Sequence, residues 1–204
     1  MPINPAVEAM RQRQVQLPDL GTASRAWGIG WTLYDWGGDP VVGHDGGVIG
    51  QEAYLRLVPG SGVAAALLTN GGDTLPVYRE IVGRALRELA GACMPDPPMP
   101  PADPKPAEPR RYVGRYESEV VAHKVTADED RRLWLSTTPR GVAVEAGMSP
   151  ERYEIVRLRG ETFLSAEPRN GTHASMTFLD EDAQGRARFL HLGSRARPRV
   201  AEPR

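Results

Sequence analysis

Residues 41–51 read VVGHDGGVIGQ. The run starts on β-branched residues, passes through His44 and Asp45, and then carries Gly46 and Gly47, so it reads as a strand whose far end has no side chains. Glycine in a strand weakens it and marks a place where another backbone or a ligand comes close. The flanking sequence supplies the neighbours. Upstream, AWGIGWTLYDW (26–36) sets Trp27, Ile29, Trp31 and Leu33 against Gly28, Gly30, Thr32 and Tyr34, and this period of two predicts one strand across the segment. WGGDP (36–40) has the turn chemistry of a hairpin leading into residue 41. Downstream, QEAYLRLV (51–58) puts Ala53, Leu55 and Leu57 on one face, and PGSG (59–62) turns the chain into VAAALLTN (63–70). Val63 to Leu68 is apolar without alternation, the pattern of a strand covered on both faces.

Helices are expected on either side of these strands. In NGGDT (70–74), Asp73 or Thr74 is the N-cap of a helix with Pro76 in its first turn. Leu75, Tyr78, Ile81, Val82, Ala85, Leu86 and Leu89 recur at helical spacing, and Gly91 ends the pattern. At the other end Asn4 caps and Pro5 begins a short helix running to about Val15. One amphipathic helix covers one sheet face, and the N-terminal helix is too short to cover the other. The sheet is therefore expected to be unfinished.

Residues 94–109 are half proline and lack apolar periodicity, which predicts an extended, semi-rigid linker. It divides residues 1–93 from an all-strand region, 110–204. There RYVGRYES, HKVTAD, RLWLSTT, YEIVRLR, ETFLSAE, ASMTFLD and RARFLHLG alternate with turn residues, as in a small antiparallel barrel or sandwich. The fold class is α+β: a partial antiparallel sheet with flanking helices, followed by a small all-β barrel-like domain.

Composition narrows the function. A net charge of −1 gives no field for nucleic acid or an anionic membrane. The arginines near the end (Arg186, Arg188, Arg195, Arg197, Arg199 and Arg204) read as a solvated tail. Cys93, the single cysteine, excludes an internal disulfide and reads as a buried or half-buried inert thiol at the end of the helix. His44, His123, His173 and His191 show no metal-ligand spacing, so neither metal nor cofactor is expected. NGT at Asn170 fits the glycosylation pattern but reads as a hairpin turn. The sequence begins without a secretory layout and contains no apolar run long enough to cross a bilayer, so the expected location is cytoplasmic and no membrane partner is expected.

The segment from WGIGWTLYDW through VVGHDGGVIGQEAYLRLVPGSGVAAALLTNGG, followed by an amphipathic helix, resembles the C-terminal third of the serine beta-lactamase, penicillin-binding protein and related esterase superfamily, class-C-like hydrolases above all. The Pro-rich linker and the RYVGRYE region resemble the lipocalin-like domain that some of these hydrolases append. The resemblance implies that His44, Asp45 and Gly46 stand at the Lys-Thr-Gly triad positions of the active-site strand, with histidine in the lysine place, and that the Gly47 N–H serves an oxyanion hole. The chemistry of such a strand is general. Acyl transfer needs preorganised donors where charge develops, and a glycine edge lets a backbone N–H reach that point. A histidine beside it donates to a substrate carboxylate or assists proton transfer, and Asp45 is a candidate to hold the imidazole or line the cleft.

The superfamily's other motifs are missing. No serine here precedes a lysine by three places, no Tyr-x-Asn or Ser-x-Asn occurs, and there is no Gly-x-Ser-x-Gly elbow. The expectation is a C-terminal portion of a serine hydrolase acting on a small amide, ester or peptide substrate, inactive alone, and prone to self-association or to pairing with the portion that holds the nucleophile. The alternative is a stand-alone binding protein that uses its barrel and an exposed sheet edge.

Overall fold

The computed structural model describes residues 4–48, 50–169 and 171–201. It divides into two units, Met1–Asp96 and Pro97–Arg204, taken separately below. Asn170, with its glycosylation-like triplet, and Arg204 lie outside the described residues.

The first unit is an antiparallel meander of six strands paired in chain order: β1 (Val15–Gln16), β2 (Ser24–Trp27), β3 (Thr32–Tyr34), β4 (Val41–Val48), β5 (Gln51–Val58) and β6 (Val63–Thr69). The single strand expected over Trp27–Tyr34 is two strands. Gly30 takes φ +74°, the Gly28 N–H donates to the Trp31 carbonyl, and the chain reverses between β2 and β3. The N-terminal helix α1 (Pro5–Met10) is capped by Asn4, whose side chain accepts from the Ala6 N–H, but it stops well before Val15 because that residue pairs with Trp27 in β1.

After β6 a continuous helical run covers one sheet face: α2 (Thr74–Tyr78), a π-helical stretch (Arg79–Gly83) and α3 (Arg84–Ala90), ended by Gly91 in the left-handed region. Asp73 is the N-cap residue. Tyr78, Val82 and Leu86, four residues apart, pack with Trp36, Val41, Val58 and Ala92 as the core. The widened π turn keeps that spacing in line. Ile81 and Leu89, expected on the same apolar face, are exposed. Beyond Gly91 the Ala92 N–H reaches back to the Leu86 carbonyl and Ala92 is buried, whereas Cys93 is an exposed free thiol, contrary to expectation. The αL turn sends Ala92 inward and its neighbour outward.

Pairing register separates the two faces of the sheet. Gly43, Asp45, Tyr54, Arg56, Val58, Val63, Ala65 and Leu67 share the helix side. Val42, His44, Gly46, Ala53, Leu55, Leu57, Ala64, Ala66 and Leu68 share the other, where Ala64 and Ala66 are exposed and Leu68 is 78% exposed. The apolar alternation of β5 thus points away from the helix, and both faces of β6 are apolar although one is open.

The second unit is a closed eight-stranded barrel: β7 (Gly114–Glu117), β8 (Val121–Ala127), β9 (Leu133–Pro139), β10 (Glu151–Arg159), β11 (Thr162–Ser165), β12 (Ser175–Glu181), β13 (Ala187–Leu192) and β14 (Arg195–Val200), with β14 pairing back onto β7. Closure removes sheet edges. Two short helices, α4 (Pro109–Tyr112) and α5 (Val142–Glu145), lie before β7 and between β9 and β10. Tyr112, Tyr116, Phe163 and Phe178 fill the interior, ring centroids 4.8 to 5.7 Å apart.

The arginine-rich end is not a solvated tail. Residues 195–200 are the closing strand, and Arg199 donates to the carbonyls of Ala187 (2.6 Å), Val113 (2.6 Å) and Arg111 (2.9 Å) and to the Tyr116 hydroxyl (2.6 Å). Hydrogen bonding to inward carbonyls, rather than charge, explains the arginine.

Candidate functional site

Strand β3 pairs with β4 only as far as Gly43 (opposite Thr32), whereas β5 pairs with β4 out to Val48. From His44 to Val48 the edge of β4 that faces away from β5 therefore has no strand beside it among the described residues, and alternate backbone N–H groups there point outward. Gly46 and Gly47 sit on this free edge. Neither has a positive φ. A Cβ added to Gly46 would meet nothing within 4 Å, and one at Gly47 would make only ordinary contacts, at 3.5 Å and beyond. Among the described residues nothing requires glycine at Gly46. A shallow cleft of about 450 Å³ borders the edge, with Gly46, Gly47, Glu52, Ala53, Leu68 and Asn70 among its lining.

His44 and Asp45 are consecutive on a strand and so face opposite ways. His44 lies on the open face, exposed, its ring centroid 5.8 Å from that of Trp27. Asp45 lies on the helix side, where it accepts two hydrogen bonds from Arg56, Nη1 to Oδ1 at 2.5 Å and Nη2 to Oδ2 at 3.0 Å. It does not orient the imidazole. That expectation treated adjacency in sequence as adjacency in space, and strand geometry forbids it.

Arg56 gives no sign of itself in the sequence, because it sits between leucines in what reads as an ordinary alternating strand. Its side chain is 3% exposed, and the guanidinium lies 4.4 Å from the Tyr34 ring centroid and 5.0 Å from that of Tyr78. Burial works against its charge, but the Asp45 hydrogen bonds and the tyrosines outweigh it, and its pKa moves up. Burial pushes the Tyr34 phenol up to about 12, even against the pull of Arg56. Gly43 makes room for this group: a Cβ there would lie 2.2 Å from the Leu55 carbonyl oxygen and 2.9 Å from the Arg56 side chain. A second anchor holds the tip of β5. Tyr54 Oη donates to Glu52 at 2.5 Å, Thr74 Oγ1 at the start of α2 donates to the same carboxylate, and these bonds, that from Thr74 foremost, draw the Glu52 pKa down. The hairpin carrying the glycine edge is thus fastened on its helix side and open on the other.

Comparison with known proteins agrees with this architecture. "Penicillin-binding protein 4" of Amycolatopsis lactamdurans is 45% identical over 119 residues, which cover 57% of this chain and 31% of that protein. The solved structure "Crystal structure of SurE with D-Leu" superposes on 97% of this chain with a TM-score of 0.70 at 25% identity, and "Crystal structure of SurE" on 96% with a TM-score of 0.68 at 26% identity. The chain is penicillin-binding-protein-like, with a C-terminal barrel. No family model matches it. It spans 31% of the length of the penicillin-binding protein and 44% and 42% of the two SurE chains. The sheet and the barrel are both within the stretch that SurE shares. No helix among the described residues is long and apolar enough to cross a membrane.

Proposed function

We propose that this penicillin-binding-protein-like chain supplies the active-site strand of a beta-lactamase-related serine hydrolase that cleaves amide or ester bonds through an acyl-enzyme, and that the isolated chain does not turn over. The observation that carries the reading is Gly46: a glycine on a free strand edge, without positive φ and with no neighbour among the described residues to exclude a side chain. Its bareness answers to something that approaches from outside this chain. In this reading the backbone N–H of Gly47 steadies the developing oxyanion, and His44, on the open face, meets the substrate or the nucleophile. Asp45 acts at one remove, holding the strand through Arg56. The nucleophilic serine and its base sit on a layer that packs over the half-buried Ala53, Leu55 and Leu57 and the exposed Ala64, Ala66 and Leu68, an apolar surface whose open part otherwise meets water at a cost. The D-Leu that accompanies SurE in one of the similar solved structures supports a peptide-derived amide or ester as substrate.

A fluorescent penicillin tests this reading. The isolated chain should remain unlabelled, because oxyanion donors without an activated nucleophile give little chemistry. Co-expression with the part of the similar penicillin-binding protein that this chain does not span should restore labelling. Stoichiometric labelling of the chain alone refutes the proposal. The same exposed surface, Val48 and Leu68 above all, also favours a second reading, an interaction protein that associates through its open sheet. Sizing of the purified chain separates the two, since a concentration-independent monomer removes the second.

A further inference from the structure

The turn that follows β6 runs Asn70-Gly71-Gly72-Asp73 and hands the chain to the helical run at Thr74. Its chemistry is independent of the function proposed for the glycine edge. Asn70 and Gly71 are both exposed. Among the described residues, neither the Asn70 side chain nor the Gly71 N–H makes a hydrogen bond. Gly71 takes φ +137° and Gly72 φ +81°, and the atom nearest to a Cβ built on Gly71 is the Gly50 carbonyl oxygen, at 4.0 Å. Asn70 also lines the cleft beside Gly46 and Gly47, where Glu52 is the one ionisable residue of the described lining.

An asparagine carboxamide is a single ring closure away from the peptide nitrogen that follows it. Three things ordinarily prevent the closure: a Cβ on the next residue crowds the carboxamide, a hydrogen bond holds the N–H, or packing fixes the side chain. Among the described residues none of the three operates at Asn70–Gly71. The two reacting atoms belong to adjacent residues, so the attack has the rate advantage of an intramolecular reaction.

We propose that Asn70–Gly71 is a self-modifying site, at which the chain, with water as co-reactant, exchanges the Asn70 amide for a carboxylate. The Gly71 nitrogen loses its proton to solvent and attacks Asn70 Cγ. A C–N bond forms, the Cγ–Nδ2 bond breaks, and Nδ2 takes a proton from solvent and leaves as ammonia, so that a cyclic imide remains. Water then opens the imide at one of its two carbonyls. Opening at Cγ restores the ordinary main chain with an aspartate, and opening at the main-chain carbonyl carries the backbone through the side chain and adds a methylene to it. Either product sets a second carboxylate on the rim of the cleft beside that of Glu52. The longer one also slackens the link between β6 and Thr74, whose hydroxyl holds Glu52.

Incubation of the full chain, followed by mass spectrometry of its tryptic peptide 57–79, tests this, since that peptide contains Asn70 and excludes the Asn170–Gly171 step. A synthetic peptide of residues 66–75 gives the rate without a fold. The peptide from the folded chain should yield two isomeric products, each heavier by the exchange of NH2 for OH, at a rate within about tenfold of the synthetic peptide and rising with pH. Asn70→Gln, whose longer side chain closes a less favourable ring, should stop the conversion. The comparison on the unaltered chain needs no variant to fold. Conversion slower than in the synthetic peptide by about tenfold or more, the mark of a turn that must first open locally, overturns the proposal. So does a rate that ignores pH, or conversion that persists in Asn70→Gln.

Discussion

Removing Asp45 should harm the first unit more than removing its partner Arg56, although each change breaks the same ion pair. The asymmetry comes from exposure, since the Arg56 side chain is 3% exposed and that of Asp45 46%. Asp45→Ala leaves a charged guanidinium buried among Tyr34, Trp36 and Tyr78 without its anion. Deleting one partner of a buried pair costs about 3–5 kcal/mol, and because water reaches the vacated Asp45 position the lower end applies, about 3 kcal/mol. Arg56→Met instead leaves a half-exposed carboxylate that rehydrates, and the methionine keeps apolar contact with the rings. The lost charged hydrogen bonds and cation–π contacts then net to about 1 kcal/mol. The predicted gap of about 2 kcal/mol is roughly thirtyfold in the folding constant. Urea unfolding in a Trp134→Phe background measures it, because Trp27, Trp31 and Trp36 then report on the first unit alone. If Arg56→Met proves as damaging as Asp45→Ala, or if both cost less than about 0.5 kcal/mol as a solvent-screened pair would, this account of the anchor is wrong.

Two glycines of one strand should respond oppositely. Gly46→Ala should change stability by no more than about 0.5 kcal/mol, and Gly43→Ala should cost at least about 3 kcal/mol, because its Cβ would meet the Leu55 carbonyl at 2.2 Å; thermal melts of the two variants check both. In the barrel, burial, aided by Arg197, holds the His123 pKa down at about 4, and its Nδ1 lies 3.0 Å from Thr137 Oγ1. The unfolded chain takes up a proton near pH 6.5 that the folded one refuses until about pH 4. Stability is therefore full above 6.5 and falls by about 3 kcal/mol as pH drops through that window. Urea midpoints read from Trp134, with Trp27, Trp31 and Trp36 replaced by Phe, should track this fall, and His123→Gln should flatten most of it, the His191 pKa being lowered in the same direction. Arg199→Met removes donors from three carbonyls and a phenol at the barrel seam and should cost about 3 kcal/mol or more, seen as a lower barrel melting temperature.

Much of the architecture was legible in the residues. The β4 strand, the hairpin that leads into it, a helix cap at Asp73 or Thr74, the Gly91 stop and the strand-rich second half follow from local chemistry: turn glycines, period two and helical spacing. What failed did so for non-local reasons. The span Trp27–Tyr34 alternates like one strand, but Gly28 and Gly30 occupy a reversal, and alternation alone cannot distinguish a glycine on a strand face from one in a turn. The closing strand Arg195–Val200 looks solvated because arginine seldom marks a strand, and only the nearby carbonyls of Arg111, Val113 and Ala187 give Arg199 its place. Arg56 left no signal at all, since its burial depends on a glycine thirteen positions earlier and on tyrosines from two other elements.

By itself the sequence determined most of the element types and the bare glycine edge, because turns, caps and periodicities are written over a few residues. Only the tertiary structure decided which sheet face meets the helix. The apolar row of Ala53, Leu55 and Leu57 turns out to face away, and Tyr54, Arg56 and Val58 face in. Local pattern reports that two faces differ; which of them is buried depends on what lies above each, and that is settled by chain packing at long range.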